Sequence, residues 1–477
     1  MNSDDFRKNA HELVDFMADY LDDLATTTKY PVKSQVKPKE IFNKLPEKAP
    51  TNSEPFSDIF KDFNDIIMPG ITHWQSPNFH AYFQANNSRL SILAEMLTAT
   101  LGAQCMIWDT SPAAAELEEK VMNWLRDLIG LPGNFSGVIQ DTASTATIVS
   151  MITAREKLTG FEVNNYGLYS QSKFTVYCSE QAHSSIEKGM KIIGLGKNNI
   201  RKVPVDDEFA LIPSKLEEMI EKDMHEGYTP LCVVAAIGTT GSTAIDPLKE
   251  IGKICKEKYN IWLHIDAALS GSALVLPEKR YMIEGIEYVD TFVFNPHKWL
   301  FTNFDASAYF VSDVEALVKT FEIHPEYLKT KSQGVNNYRD WGIQLGRRFR
   351  ALKLWFVIRG YGVEGLQEKI RFHLSLTQKI VSKIQESKDF ELLAPVPVNT
   401  ICFRFKPEGM KNEEEINSIN EQLLDKLNAS GKVYFTHTKL NEKYTIRFVI
   451  GQTEVEEKHV DFAWNLIVQF SNELKGL

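Results

Sequence analysis

The chain has 477 residues, 43% hydrophobic and 24% charged, the make-up of an ordinary globular protein too long for one simple core. A formal net charge of −10 argues against nucleic acid as a main partner, because phosphate backbones demand basic surface. Cys105, Cys178, Cys232, Cys255 and Cys402 are scattered without a CxxC pair, against a disulfide framework or a metal site. The start Met1-Asn2-Ser3-Asp4-Asp5 lacks leader character, and no apolar run approaches the roughly 20 residues of a membrane span. The expectation is a cytoplasmic protein with no membrane contact.

Phe6, Leu13, Phe16, Met17, Tyr20, Leu21 and Leu24 recur at helical spacing. This amphipathic stripe has no neighbouring domain to cover it, and a second subunit is the expected cover. A second helical stretch follows at 56–68. Trp74, Phe79, Tyr82 and Phe83 stand in a Pro/Gly-punctuated segment. They read either as a loop buried under its own side chains or as an aromatic pocket wall. Two helices are predicted over 89–129, the second capped by Ser111 with Pro112 in its first turn and Glu116 and Glu118 near its positive end.

From 137 onward short apolar runs alternate with helical segments. Lys173–Cys178, Leu231–Ile237, Ile261–Ala267, Thr291–Phe294 and Ala306–Val311 are candidate strands. Their alternation with helices predicts βαβ units and a largely parallel sheet, with ligands beyond the carboxyl ends of the strands. A helical region from Arg350 to about Ser387 breaks at Gly360-Tyr361-Gly362. A smaller α+β region follows, with strands near Asn399–Phe405, Lys432–His437 and Tyr444–Ile450 and a closing helix over 455–474. The expected divisions are 1–86, an N-terminal helical segment; 87–362, a large α/β domain; and 363–477, a small C-terminal α+β domain.

Polar residues gather where those strands end. Lys298 follows the apolar run 291–294 and Asn295-Pro296-His297. There desolvation favours the neutral amine, below the usual lysine pKa of about 10.4, and a neutral amine attacks aldehydes. Asp266 closes another strand and would hold a proton on a cofactor ring nitrogen. Ala268 is small enough for a flat ring to lie against it, with His183 on the other face. Thr142-Ala143-Ser144 opens a helix with small residues, a start suited to phosphate. Aldehyde-reactive lysine, ring-protonating aspartate, stacking histidine and phosphate cradle together describe pyridoxal 5′-phosphate. No GxxxxGK[ST] occurs, so nucleotide hydrolysis has no support.

The segments His73-Trp74-Gln75-Ser76-Pro77, Ser111-Pro112-Ala113, Thr142-Ala143-Ser144, Leu263-His264-Ile265-Asp266-Ala267-Ala268, Asn295-Pro296-His297-Lys298-Trp299 and Leu345-Gly346-Arg347-Arg348-Phe349-Arg350 resemble the group II pyridoxal-phosphate decarboxylases. The likeness is to their aromatic-L-amino-acid decarboxylase branch and spans nearly the whole chain. It implies an aspartate-aminotransferase-like α/β fold (fold type I) and a homodimer with active sites at the subunit interface. By this resemblance Lys298 carries the Schiff base, Asp266 binds the ring nitrogen, His183 stacks, and Ala143, Ser144, Asn295 and His297 hold the phosphate. Thr240 lies near the ring's substituents, and Tyr327, on a mobile loop, returns a proton to the substrate carbon.

The resemblance also places Trp74, Tyr82 and Phe83 in an aromatic substrate wall, together with Ala85, Gln104, Met106, His183 and Gly346, the last leaving space for a ring. Departures from the animal pattern occur at Gln84-Ala85, Gln104, Met106 and Leu269. The implied activity is decarboxylation of tryptophan, tyrosine, phenylalanine or dopa to the amine and CO2. Three competitors stand beside it: an acidic-amino-acid decarboxylase, which would want an arginine near residues 74–83; an aromatic aldehyde synthase, disfavoured by Tyr327; and a cofactor-free binding protein on the same fold.

Overall fold

Buried β-branched strands and small-residue helices build the larger of two compact units, residues 85–372 with 394–400. The computed structural model describes residues 1–26, 29–168, 173–323 and 334–475. In the larger unit β1 (Ser136–Gln140), β2 (Lys173–Ser179), β3 (Ile200–Val203), β4 (Tyr228–Ala236), β5 (Trp262–Asp266), β6 (Thr291–Phe294) and β7 (Ser307–Val311) form one sheet in the order β1-β7-β6-β5-β4-β2-β3. The neighbours from β6 through β3 pair in parallel. β7 is antiparallel to both β1 and β6. β1 therefore runs the same way as β6, and six strands deliver their carboxyl ends to one edge. That edge is where the polar residues sit.

Continuous apolar strands mark a sheet covered on both faces. Ala143, Ala146 and Val149 of the helix Ala143–Leu158 pack with Val138, Val293 and Tyr309. Ile148, Met151 and Ala154 of the same helix pack with Phe174, Val176 and Cys178. Small side chains on this helix let it lie close to the sheet, so its N-terminus is fixed at the functional edge.

Two expectations need correction here. The helix Pro112–Ile129 begins as predicted, but the Ser111 hydroxyl makes no capping bond. Glu118 does not serve the helix dipole either: it is buried, accepts the Ile139 N–H at 2.8 Å and pairs with Arg347 at 2.5 Å. The edge strand β3, with Arg201 and Lys202 in its middle, has no apolar run to announce it.

The smaller unit comprises residues 1–84, 373–393 and 401–477. Its sheet has the order β10-β11-β9-β8, where β8 is Phe390–Leu392, β9 Thr400–Phe405, β10 Thr436–Leu440 and β11 Lys443–Val449. Helices Glu413–Ala429 and Glu457–Lys475 accompany it. The expected strand at 432–437 starts later, because the Asn428 side chain takes both the N–H (2.9 Å) and the carbonyl (3.1 Å) of Phe435 and removes them from a ladder. The N-terminal helix Ser3–Thr26 buries only Leu24. Phe16 meets Phe60 and Phe63 edge-on at 5.3 and 5.9 Å, while Phe6 stays 63% exposed.

Candidate active site

Lys298 lies in the short helix Pro296–Trp299 immediately after β6, and its position is fixed by main-chain bonds. Pro296 stands at the first helical position, where its missing N–H costs nothing. The Lys298 N–H reaches the Asn295 carbonyl at 2.9 Å, and the Asn295 N–H reaches the Ala268 carbonyl at 3.0 Å. Asn86 clamps the turn from the other side: its N–H donates to the His297 carbonyl (3.0 Å) and its Nδ2 to the Lys298 carbonyl (2.5 Å).

Asp266 ends β5 and accepts the Ala268 N–H at 3.1 Å. Behind it, His264 is fully buried, with Nε2 3.2 Å from Thr147 Oγ1 and Nδ1 2.9 Å from Thr291 Oγ1. Burial pushes the His264 ring down to about 4, so it is neutral near pH 7. His183 follows β2, and its Nδ1 accepts the Ser185 N–H at 3.2 Å. Desolvation holds its pKa below the ordinary value; Asp266 opposes this shift and Lys298 reinforces it. His183 thus lies within electrostatic reach of both Asp266 and Lys298.

A second group suits an anion. Thr142 Oγ1 takes the Thr145 N–H (3.3 Å) and the Thr142 carbonyl that of Ala146 (3.1 Å). The N–H groups of Ala143 and Ser144, at the first two helical positions, precede the intrahelical ladder and are available to a ligand. Ser307 Oγ is 2.7 Å from Asn295 Oδ1 and 3.3 Å from the Asp141 carbonyl, tying the two turns together. With Oδ1 engaged by a hydroxyl, the Asn295 carboxamide has its NH2 left to donate. His297 is buried, its Nδ1 accepts the Ala306 N–H at 3.0 Å, and burial lowers its pKa to about 3. Its proton therefore sits on Nε2, another neutral donor.

The substrate-side residues fall into separate groups. Gln104 and Gly346 meet each other in the larger unit, where Gln104 Oε1 accepts the Arg347 N–H at 2.7 Å. The Met106 carbonyl accepts the Arg339 N–H at 2.9 Å, and Thr240 is exposed beyond β4. Ala85 opens the larger unit. In the smaller unit Trp74 stacks on Phe79 (4.4 Å) and Tyr82 (5.6 Å), and the Arg447 guanidinium lies 5.0 Å over Phe83. Tyr327 lies outside the described residues. Among the described residues no group of three or more His, Cys, Asp or Glu side chains could hold a metal.

Sequence reasoning missed Asn86, Ser307 and the Glu118–Arg347 pair. Asn86 and Ser307 act through contacts between segments remote in the chain, and nothing in their local pattern signals them. Glu118 was read as complementing the positive end of its helix, and Arg347 was noted only within its motif.

An amine on a pinned turn, a carboxylate at the next strand end and a neutral donor set at a helix start are what a phosphate-bearing aldehyde cofactor with a basic ring nitrogen requires. The residues present fit pyridoxal 5′-phosphate. The pyridoxal-dependent decarboxylase conserved domain matches residues 38–406, and the chain belongs to that family. It is 41% identical to tyrosine decarboxylase 2 of Narcissus pseudonarcissus, across 98% of this chain and 94% of the relative. It is 40% identical to a phenylacetaldehyde synthase of Petunia hybrida, across 98% and 94%. A TDC from Oryza sativa, solved with PLP and tryptamine, superposes with a TM-score of 0.95 at 34% identity over 99% of both chains. The fold is that of the fold type I decarboxylases, and the cofactor is pyridoxal phosphate.

Proposed function

We propose that this carboxy-lyase converts an aromatic L-amino acid to its amine and CO2, with Lys298 as the residue that bonds the cofactor. The observation that carries this reading is the gathering of Lys298, Asp266, His183 and the Ala143–Ser144 helix start at one sheet edge. Bound pyridoxal phosphate supplies an aldehyde for amines and a protonated ring that takes up the electron pair left by departing CO2. Asp266 keeps the proton on the ring nitrogen by placing a negative charge beside it. His183 presents a neutral ring for stacking. The Ala143 and Ser144 N–H groups, the Asn295 NH2 and His297 Nε2 donate to phosphate, and Thr240 borders the ring substituents.

The aromatic substrate is supported by relatives that are tyrosine decarboxylases and by the tryptamine-bound neighbour. The residues 73–83 carry no arginine for an acidic side chain, and Trp74, Tyr82 and Phe83 offer flat apolar surface. A second reading, aldehyde synthesis, is kept by the equally similar phenylacetaldehyde synthase and is opposed by Tyr327 as the proton donor. The exposed apolar residues of the N-terminal helix favour a homodimer. Five buried free thiols suit a reducing cytoplasm, and no described helix is long and apolar enough to cross a membrane.

The test is borohydride reduction of the holoenzyme, peptide mapping, and a count of amine and CO2 from each amino acid. A pyridoxyl label on any residue other than Lys298 would overturn the assignment.

A further inference from the structure

Behind Asp266 runs a hydrogen-bonded chain of side chains whose direction can be read atom by atom. Trp262 Nε1 can only donate, and it reaches Ser150 Oγ at 3.0 Å. Ser150 Oγ and Thr291 Oγ1 stand 2.6 Å apart, and Thr291 Oγ1 lies 2.9 Å from His264 Nδ1. Across the ring, His264 Nε2 is 3.2 Å from Thr147 Oγ1, whose hydroxyl donates to the Ala143 carbonyl at 2.9 Å. That last bond uses the Thr147 hydroxyl proton, so Nε2 must carry the hydrogen. Burial keeps the ring neutral, and Nδ1 is then an acceptor that takes the Thr291 hydroxyl. Ser150 in turn donates to Thr291. The Tyr309 ring stands 6.4 Å from that of His264, and its hydroxyl has no partner among the described residues that would divert this order.

The chain joins the three elements that lead to the cofactor contacts. His264 and Thr291 face each other in register across β5 and β6, the strands that end at Asp266 and just before Asn295 and Lys298. Asp266 lies two residues beyond His264, on the same face of β5, and its charge acts on the ring. Thr147 stands one turn after Ala143 on the helix Ala143–Leu158. The Trp262–Ser150 bond ties this helix to β5 farther from the functional edge, and the His264–Thr147 bond ties them next to it. His264, Thr147, Thr291 and Ser150 are fully buried, so water cannot take over a lost bond.

We propose that His264 is a positioning residue for the cofactor: as the Nε2–H tautomer it ties the helix start that receives the phosphate to the strand that carries Asp266, and so fixes the span between phosphate and ring nitrogen. This rests on the reading that Ala143 and Ser144 hold the phosphate and Asp266 the ring nitrogen. Pyridoxal phosphate meets the protein at both places at once, so a slip of about 0.5 Å between helix and strand makes one end give up its contacts. Pyridoxal lacks the phosphate, meets only the strand side, and is indifferent to that span. Thr147 is the other half of the tie.

The experiment measures Kd for pyridoxal phosphate and for pyridoxal on the full chain stripped of cofactor, by absorbance and protein fluorescence, in the parent, Thr147→Val, His264→Asn and His264→Gln. Thr147→Val and His264→Asn lose the tie, whereas His264→Gln brings an amide N–H to the place of Nε2 and restores it. The first two should bind pyridoxal phosphate about fivefold to tenfold more weakly, the span of one neutral hydrogen bond, with pyridoxal unchanged. His264→Gln should come within about twofold of the parent. Thr147→Val keeps the side-chain size, so it carries the test if the histidine variants do not fold. Variants that bind pyridoxal phosphate as the parent does overturn the proposal, and so do variants that weaken both ligands by one factor, the mark of a general loosening. A glutamine variant no better than the asparagine one overturns it too. A parent that binds pyridoxal phosphate no more tightly than pyridoxal overturns the phosphate reading itself. That outcome is distinct from a parent that discriminates while its variants match it, which overturns only the role of His264.

Discussion

Replacing Glu118 with alanine should expose how much of the larger unit depends on one buried ion pair. The Glu118 and Arg347 side chains retain only 3% and 6% of their exposure, so solvent screens the pair little. Truncation leaves the Arg347 cation in the interior without a counter-charge and leaves the Ile139 N–H, now 2.8 Å from Glu118 Oε1, without an acceptor. Breaking a buried pair costs about 3–5 kcal/mol, and the orphaned N–H belongs within that range since the two losses are not additive. For a cooperative unit of roughly 300 residues this lowers Tm by about 5–8 °C. Glu118→Gln keeps both hydrogen bonds without the charge and should cost about 1–2 kcal/mol. The double variant Glu118→Leu, Arg347→Met should recover the part of the loss due to the unpaired charge, because apolar side chains of similar size replace a buried pair at little cost, while the Ile139 N–H and the carbonyls of Ile139 and Tyr338 stay without these partners. Calorimetric melting with saturating cofactor reads all of these. A Glu118→Ala protein melting within 2 °C of the parent, or a double variant that loses the sum of the two singles, would refute the reasoning.

Three further outcomes follow from the same geometry. His80, His264 and His297 are buried and held down to about 3, 4 and 3, chiefly by burial. An unfolded histidine titrates near 6.5, so below that pH the unfolded chain binds more protons; the stability present above 6.5 is lost as pH falls toward the folded values. Each contributes on the order of 2 kcal/mol of loss at pH 5. Melting at pH 7.5 and pH 5 checks this, and an unchanged Tm counts against it. Gly271→Ala puts a methyl 2.3 Å from Phe294 Cβ, which should cost about 1–3 kcal/mol by overpacking. It should also loosen cofactor retention, since Phe294 precedes Asn295; dialysis followed by absorbance of the retained cofactor tests it, and full retention would show that the strand end does not move. Tyr327→Phe should sharply reduce amine release, and undiminished amine would remove Tyr327 from the chemistry.

The larger sheet was legible because its strands are continuous apolar runs. Thr291–Phe294 ends in the structure where the sequence ends it, since Pro296 cannot extend the ladder. The residues at the strand ends were readable for the same reason: a parallel sheet sends its polar termini to one edge. The edge strand β3 was not legible, because Ile200-Arg201-Lys202-Val203 is half-exposed and carries no uniform hydrophobicity. The aromatic stretch at 74–83 stayed ambiguous because stacking, not periodicity, organises it: Trp74, Phe79 and Tyr82 lie ring upon ring. Asn86 and Ser307 were invisible, since each works through a partner remote in sequence, Lys298 and Asp141 respectively. Glu118 was misassigned because helical position shows where a carboxylate begins, and only the fold shows what it reaches.

The bonds from Asn86 and Asn295 that fasten the turn around Lys298 restrict how its amine travels. With the peptide units on both sides held, reach depends on rotation about the side chain's own carbon–carbon bonds. The loop cannot slide forward to compensate for a shorter arm. A homologue of lysine lacking one methylene would thus fall short by a full bond length, although its charge and basicity were intact. Geometry at the end of the tether, more than the nature of the nitrogen, decides whether the bond forms.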